Sequence, residues 1–363
     1  MSAHEILIGV MAVFAALGAA DRICGNKLGL GKEFEEGVLA MGSLAMAMIG
    51  VITLSPVLAA ILRPVIVPLF GLLGADGAMF AGAILACDMG GGPLAKEQAD
   101  SYEAAMLGGV ITGSMLGATI VFTIPVAMGI LTEEDRPAMA KGFLCGIVTI
   151  PVGILAGGIV AGFPIGMILR NLVPILIIGA LIALGLWKNE RAMIRGFGAF
   201  GKGVVALITV GLAAAIVESL TGFALIPGMA PIENGFETVG EIAIVLAGAF
   251  PLVYVLTKLL RKPLLKLGKV LGINDVAAAG LVASLANSIA TFGLVKDMDN
   301  RGKVVNIAFA VSAAFVFGDH LGFTAGFAPE MLPAMIIGKL AGGISAVAVA
   351  LWITGKEQKS GAA

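Results

Sequence analysis

A few polar groups stand in stretches of this sequence that are otherwise apolar or small, and they are its candidates for chemistry. Asp88 and Met89 lie in Leu85-Ala86-Cys87-Asp88-Met89-Gly90-Gly91-Gly92, and Asn287 and Ser288 in Leu285-Ala286-Asn287-Ser288. Asp319 and His320 lie in Phe317-Gly318-Asp319-His320-Leu321-Gly322-Phe323. An ionisable side chain at membrane depth costs about 2.5–3.5 kcal/mol on insertion scales unless it is paired or hydrated, so each such group needs a reason. A carboxylate beside a glycine run, where a helix breaks and leaves backbone exposed, suits a small cation that carries hydrogen-bond donors. The competing reading of Asp88 is a helix cap, or a partner for Lys96 or Lys296. Asn287 can meet a ligand hydroxyl or satisfy its own turn. A histidine beside a buried acid can hold a proton near neutral pH, or the pair can face the outer interface. Metal binding is not expected, because one embedded histidine and the scattered Cys24, Cys87 and Cys145 lack a ligand spacing. The cysteines read as packing residues.

The elements that must position these groups are set by the solvent. The chain has 363 residues, 59% hydrophobic and 13% charged, with 52 glycines and a mean hydropathy of +1.03. A soluble domain carries roughly 25% charged residues. Glycine-rich, charge-poor sequence fits helices that pack closely in lipid. The net charge of −1 and the lack of a basic run argue against nucleic acid as a partner. Neither GxxxxGK[ST], HExxH nor GxSxG occurs, so the sequence shows no machinery for an ATPase or an intramembrane hydrolase.

Apolar runs long enough to span, about 20 residues each, cover roughly 5–21, 38–62, 103–131, 138–163, 165–187, 203–220, 239–260, 303–326 and 333–354. Two shorter segments, 76–93 and 275–293, carry polar residues in their middles. Met1–Glu5 has no lysine or arginine, so the first run reads as a retained span, not a cleaved signal.

The chain is also written twice. Arg63-Pro64, Leu73-Gly74-Ala75-Asp76, Ala81-Gly82, Leu94-Ala95-Lys96-Glu97, Gly117 and Pro137-Ala138-Met139 return as Lys262-Pro263, Leu271-Gly272-Ile273-Asn274, Ala279-Gly280, Leu294-Val295-Lys296-Asp297, Gly318 and Pro333-Ala334-Met335. Gly109, Gly113 and Gly117 correspond to Ala310, Ala314 and Gly318, a ridge of small residues. Loop charge reverses between the copies. Arg22, Lys27 and Lys32 face a counterpart with Glu233 and Glu237, and the lone Arg63 faces Lys258, Arg261, Lys262, Lys266 and Lys269. Lysine and arginine stay cytoplasmic, so the copies are expected to be inverted. Inversion needs an odd number of crossings between equivalent helices. Re-entrant segments at 76–93 and 275–293 supply it, giving nine crossings, an outside N-terminus and a cytoplasmic C-terminus; eleven full spans are the alternative. The expectation is an all-α, polytopic membrane protein of two inverted repeats with re-entrant or broken helices. The first repeat covers 1–163, a linking helix and cytoplasmic loop 164–202, and the second repeat 203–363.

Several long motifs carry a family resemblance. Glu33-Phe34-Glu35-Glu36-Gly37, Leu85 through Gly91, Ile147-Val148-Thr149-Ile150-Pro151, Asp299-Asn300-Arg301-Gly302-Lys303-Val304 and Ala308 through Phe315, with Gly318 through Phe323, resemble the EutH family. The similarity runs along nearly the whole chain, although the 163–170 and 227–240 loops look short for the family. The resemblance implies uptake of ethanolamine across a bacterial cytoplasmic membrane, with no enzymatic step and no cofactor. Protonated ethanolamine needs a carboxylate, a polar group for its hydroxyl and an aromatic face. Asp88, Asn287 and Phe292 are of those types, with Thr149 and Ser114 on neighbouring helices as further donors. Facilitated diffusion is the leading expectation, proton- or sodium-coupled symport the second, and a non-transporting scaffold or sensor the third. A homo-oligomer stays open.

Overall fold

The computed structural model describes residues 2–360, except that nothing is described of the side chains of Ile194, residues 260–262, 264, 265 and 267, and residues 357–360. Arg261 and Lys262, which enter the charge argument, are among these side chains. The described chain is helical throughout, with no strand. Its elements are α1 (Ala3–Ile23), α2 (Leu30–Gly71), α3 (Ala78–Ile84), α4 (Gly92–Gln98), α5 (Tyr102–Ile130), α6 (Arg136–Ile147) and α7 (Ile150–Val160). They continue as α8 (Ile165–Thr221), α9 (Ile232–Leu271), α10 (Asp275–Ala286), α11 (Ser288–Leu294), α12 (Asn300–Ala313), α13 (Asp319–Phe327) and α14 (Leu332–Ser360). Eight helical stretches among the described residues are long and apolar enough to cross a membrane.

Two of these elements run past the expected boundaries. The 165–187 and 203–220 runs belong to one 57-residue helix, α8, kinked at Asn189, where φ is −151° and ψ 72°. The expected loop between them is therefore helical. The long helices α2 and α9 hold prolines at 56, 64 and 68, and at 251 and 263. These two helices pack on each other. Glycines set the closeness: a Cβ at Gly37 would meet the Leu246 carbonyl of α9, and one at Gly50 would meet the Ile208 carbonyl of α8, which also packs on α2. α1 lies on the same pair, with Gly248 pressed against the Met11 backbone.

The two short polar segments are hairpins that enter and leave at one end. In the first, α3 packs on α4, and Asp76 closes the base: its carboxylate accepts from Ala78 N at 2.8 Å and Asp100 N at 3.0 Å. In the second, α10 packs on α11, and Asp299 accepts from Asn274 N at 2.8 Å while Asn274 Nδ2 donates to the Asp297 carbonyl at 3.0 Å. The Asn274 side chain also caps α10 through Ala277 N. The same job falls to matching positions of the two copies, with the carboxylate moved from the entering to the leaving strand of chain. α11 is tied back to α10 by Thr291 Oγ1, which donates to the Gly280 carbonyl at 2.9 Å and lies 2.8 Å from Ser284 Oγ.

Each hairpin tip is met by a distorted helix. α5 widens to π-helix at Leu107–Gly117 and Thr119–Thr123, and a Cβ on Gly117 would overlap the Leu85 carbonyl at the first tip. A Cβ on Gly318 would overlap the Ala286 carbonyl at the second. Here the expected 303–326 span is not one helix. It breaks between α12 and α13, with Phe315 at φ 63°. The broken backbone is satisfied by the hairpin: Phe315 N donates to the Ser284 carbonyl at 3.1 Å and Phe317 N to that of Leu285 at 2.8 Å. Away from water an unpaired peptide group is costly, so break and tip hold each other in place.

Candidate functional site

The first hairpin's tip and the break between α12 and α13 close round a cavity of about 200 Å³. Its polar lining is Asp88, Asp319, His320 and Ser43, and its aromatic walls are Phe122 and Phe315. That volume is below the roughly 300–1,000 Å³ of sites for drug-sized ligands and suits a molecule of a few heavy atoms.

Asp88 owes its place to the glycines. Leu85 and Ala86 are extended after α3, and the chain turns back through Cys87–Gly91, where Gly90 takes φ 98° and lies against Val51. The side chain of Asp88 is 15% exposed, and its Oδ1 has no hydrogen-bond partner. His320, in the first turn of α13, is 3% exposed. Its Nε2 lies 3.8 Å from Asp88 Oδ1, which is ion-pair range but too long for a hydrogen bond, and its Nδ1 is unpartnered. The His320 ring leans on Phe315 at 5.3 Å between centroids, and Phe315 meets Phe122 edge-on at 5.5 Å. Buried polar atoms are paired in the great majority of cases, and the cavity-lining Asp88 and His320 side chains each hold one that is not.

Lys339 is a group the sequence reading did not single out. It sits in α14, is 1% exposed, and donates from Nζ to the Ser114 carbonyl in the π-helical part of α5. Among the described residues no carboxylate comes within ion-pair distance of it. The sequence signal was weak. Lys339 lies only seven residues into a 29-residue helix, where a lysine ordinarily snorkels to the interface. Gly338 and Gly342, which press on Gly153 and Gly157 of α7, mark this side of α14 as buried.

The other expected site residues divide. Asp88, Met89, Asp319 and His320 line the cavity together. Asn287 lines a second cavity of about 430 Å³ with Glu33, Tyr254, Lys258 and Phe317; Asp319 borders both. The Asn287 side chain accepts from Ile289 N at 2.7 Å, which is the turn-capping role. Ser288 is fully buried with an unpartnered hydroxyl. Phe292 is packed in the core at 1% exposure and lines neither cavity. Thr149, between α6 and α7, turns its hydroxyl onto the Gly146 carbonyl of α6, and Ser114 onto that of Ile111, so the cavity receives neither hydroxyl. Neither lysine considered as a partner for Asp88 is one: Lys96 lies over the Phe327 ring at 4.7 Å, and Lys296 is exposed.

One donor grouping was hidden by sequence separation. The ligand atoms of Cys87, Asp88 and His320 lie within 4.8 Å of one another. Three such types could serve zinc, but a structural zinc site takes four.

These features define a polytopic membrane protein with a small, charged, aromatic-walled cavity inside its helices. The profile of the family described as "Ethanolamine utilisation protein, EutH" matches residues 3–353, and the chain belongs to that family. It is 59% identical over 359 residues to the "Probable ethanolamine permease EutH" of Listeria monocytogenes, covering 99% of this chain and 96% of that one. It is 51% identical to "Uncharacterized protein YxeR" of Bacillus subtilis, covering 99% and 98%. To the "Probable ethanolamine permease EutH" of Escherichia coli it is 49% identical, covering 98% and 97%. The last alignment runs to 395 positions, so it contains gaps against this 363-residue chain. No solved structure matches.

Proposed function

We propose that the protein carries ethanolamine across the bacterial cytoplasmic membrane by facilitated diffusion, with the 200 Å³ cavity as its binding site. The observation that carries this reading is the Asp88 side chain in the cavity lining, 15% exposed and tied to no fixed cation by a hydrogen bond. A carboxylate there gives a primary ammonium an opposing charge, without which its burial would be prohibitive. Phe315 and Phe122 offer ring faces, and cation–π contact is worth about 2 kcal/mol when desolvated. His320, in the same lining, brings an imidazole as the partner for the hydroxyl two carbons away. The names of the Listeria and Escherichia relatives support the same substrate.

The second cavity, walled by Glu33, Tyr254 and Lys258, leads from the lysine-rich end of α9 to Asp319. By the positive-inside rule that end is cytoplasmic, so this conformation is read as inward-facing, with Asp319 between vestibule and site. Matched hairpin bases and matched tip contacts support two repeats that rock about the site. Substrate flows down a gradient kept by consumption inside the cell. A scaffold has no need of such a cavity, and a sensor would bind ethanolamine there without moving it.

The test is uptake of labelled ethanolamine into liposomes holding only this protein. Saturable uptake without an imposed ion gradient is the expected result. No uptake above empty liposomes would overturn transport, and uptake only with a proton or sodium gradient would replace diffusion by symport.

A further inference from the structure

α13 begins at Asp319, which borders the second cavity, and ends at Phe327, which lines a third cavity of about 280 Å³. His320, Phe323 and Phe327 stand three and four residues apart, on one face of this helix. Phe323 is fully buried against Gly92, the residue that opens α4 just after the turn holding Asp88. It stacks on Phe327, with 4.8 Å between ring centroids and 20° between planes. Seven residues at about 1.5 Å each put His320 and Phe327 roughly 10 Å apart along the axis. One pair of stacked rings thus stands between the Asp88 cavity and the third cavity.

The third cavity already holds a primary ammonium. Lys96 Nζ lies 4.7 Å from the Phe327 ring centroid, and both residues are in the lining with Glu97. Lys96 is exposed, and among the described residues its Nζ has neither a hydrogen bond nor an ion pair. We propose that this cavity is the entry subsite for the protonated amine, and that Lys96 is its resident ammonium, displaced from Phe327 by each incoming one. A ring face beside a carboxylate accepts any primary ammonium, whether it belongs to lysine or to ethanolamine. With the base of the first hairpin outside, as nine crossings require, this mouth faces the exterior. The inner mouth repeats the device on other elements: Lys258 Nζ lies 4.0 Å from the Tyr254 ring centroid, and both line the second cavity. An amine on Phe327 has the Phe323 ring between it and Asp88.

The inference rests on the proposed transport of a primary ammonium, but its test needs neither transport nor Asp88. Asn234, on the α9 wall of the third cavity, is replaced by cysteine in a background without Cys24, Cys87 and Cys145. Its labelling by N-ethylmaleimide is timed against ethylamine, a primary ammonium that lacks the hydroxyl. Ethylamine should slow the labelling. Lys96→Gln should lower the half-protecting concentration about 3-fold, the scale of an exposed cation–π contact. Lys96→Arg, which keeps a cation for the ring, should not. Phe327→Leu should weaken the protection, and Lys96→Gln should change nothing further once the ring is gone. Ethanol should protect no variant. Thermal melting checks folding, and the two exposed Lys96 variants decide the matter alone if Phe327→Leu is unstable. Protection unchanged by Lys96→Gln, matched by ethanol, or lost in Asp88→Asn would each overturn the proposal, the last because it would place the amine at the central site. Protection without uptake into liposomes would overturn the proposed function and leave this subsite standing.

Discussion

Asp88 and Asp319 are both carboxylates at one small cavity, but they are placed for different work. Asp88 presents an oxygen with no partner, whereas Asp319 opens α13 and borders the vestibule as well. Replacing Asp88 by Asn keeps the shape and removes the charge. Ethanolamine affinity should then fall by about 10-fold or more, since a hydrogen bond to a charged group is worth roughly 1.5–3 kcal/mol. Asp319→Asn should cost less. Calorimetry on purified protein measures both, with thermal melting as the folding control. Equal affinity in Asp88→Asn would remove its pairing role, and a larger loss at Asp319 would move the amine toward the vestibule. Asp88, Asp319 and His320 could be picked from the sequence because a polar group in an apolar run needs a reason. Lys339 could not, since its sequence position equally fits a side chain reaching the membrane surface. Its burial shows only in the packing, with Gly338 and Gly342 pressed on α7 and its Nζ on the Ser114 carbonyl of α5. Phe292 failed the other way: an aromatic of the right type is far more often core than ligand wall.

The hairpins show which elements a sequence can reveal. Gly90-Gly91-Gly92 and Ser284 through Ser288 advertise broken helices, and both segments are hairpins closed at the base. The break at 314–318 carries no such mark, because Ala313-Ala314-Phe315-Val316-Phe317 would extend a helix as readily as end one. It breaks because the carbonyls of Ser284 and Leu285, freed at the hairpin tip, take its N–H groups. Tertiary pairing overrides local preference there. Gly318 is where tip and break come closest, so Gly318→Ala should destabilise the protein by about 1–3 kcal/mol, the usual cost of overpacking. Gly129→Ala, where nothing lies within 4 Å, should cost nothing. Thermal melting in the presence of lipid compares them, and an equal effect would show that the contact is not tight. For following access to the tips, Gly90 is a poor site for a cysteine, given its φ of 98° and its contact with Val51. Ser288 is sealed in this conformation. A cysteine there, in a background without Cys24, Cys87 and Cys145, should label only when the repeats move, and ethanolamine should change its rate. Immediate labelling at the rate of an unfolded control, indifferent to substrate, would take the second tip out of any gate.

At the scale of the whole molecule the question is how often the chain crosses the bilayer. Eight described stretches are long enough. The expected ninth crossing falls on α12 and α13 in succession, 14 and 9 residues that are each too short to span alone. With both hairpins re-entrant the total is nine, and the ends of the chain fall on opposite sides. The Lys356 ammonium stacked on Trp352 at 3.7 Å would sit at the cytoplasmic interface, where the aromatic belt and the positive-inside rule both put such a pair. A reporter fused after Ser360 should therefore report cytoplasm, and a tag after Met1 the exterior. Those two results leave eleven crossings standing, because any odd number separates the termini. The position after Gln98 decides. Gln98 ends the first hairpin beside Asp100, whose backbone N–H is held by Asp76 at the hairpin's entrance. If that base is a single point on the outer face, a tag after Gln98 is exterior. If α3 and α4 together made a full span, the same tag would be cytoplasmic, and the hydrogen bond from Asp100 to Asp76 could not form across the thickness of the membrane. A cytoplasmic signal at Gln98 would thus overturn nine crossings and the closed hairpin together.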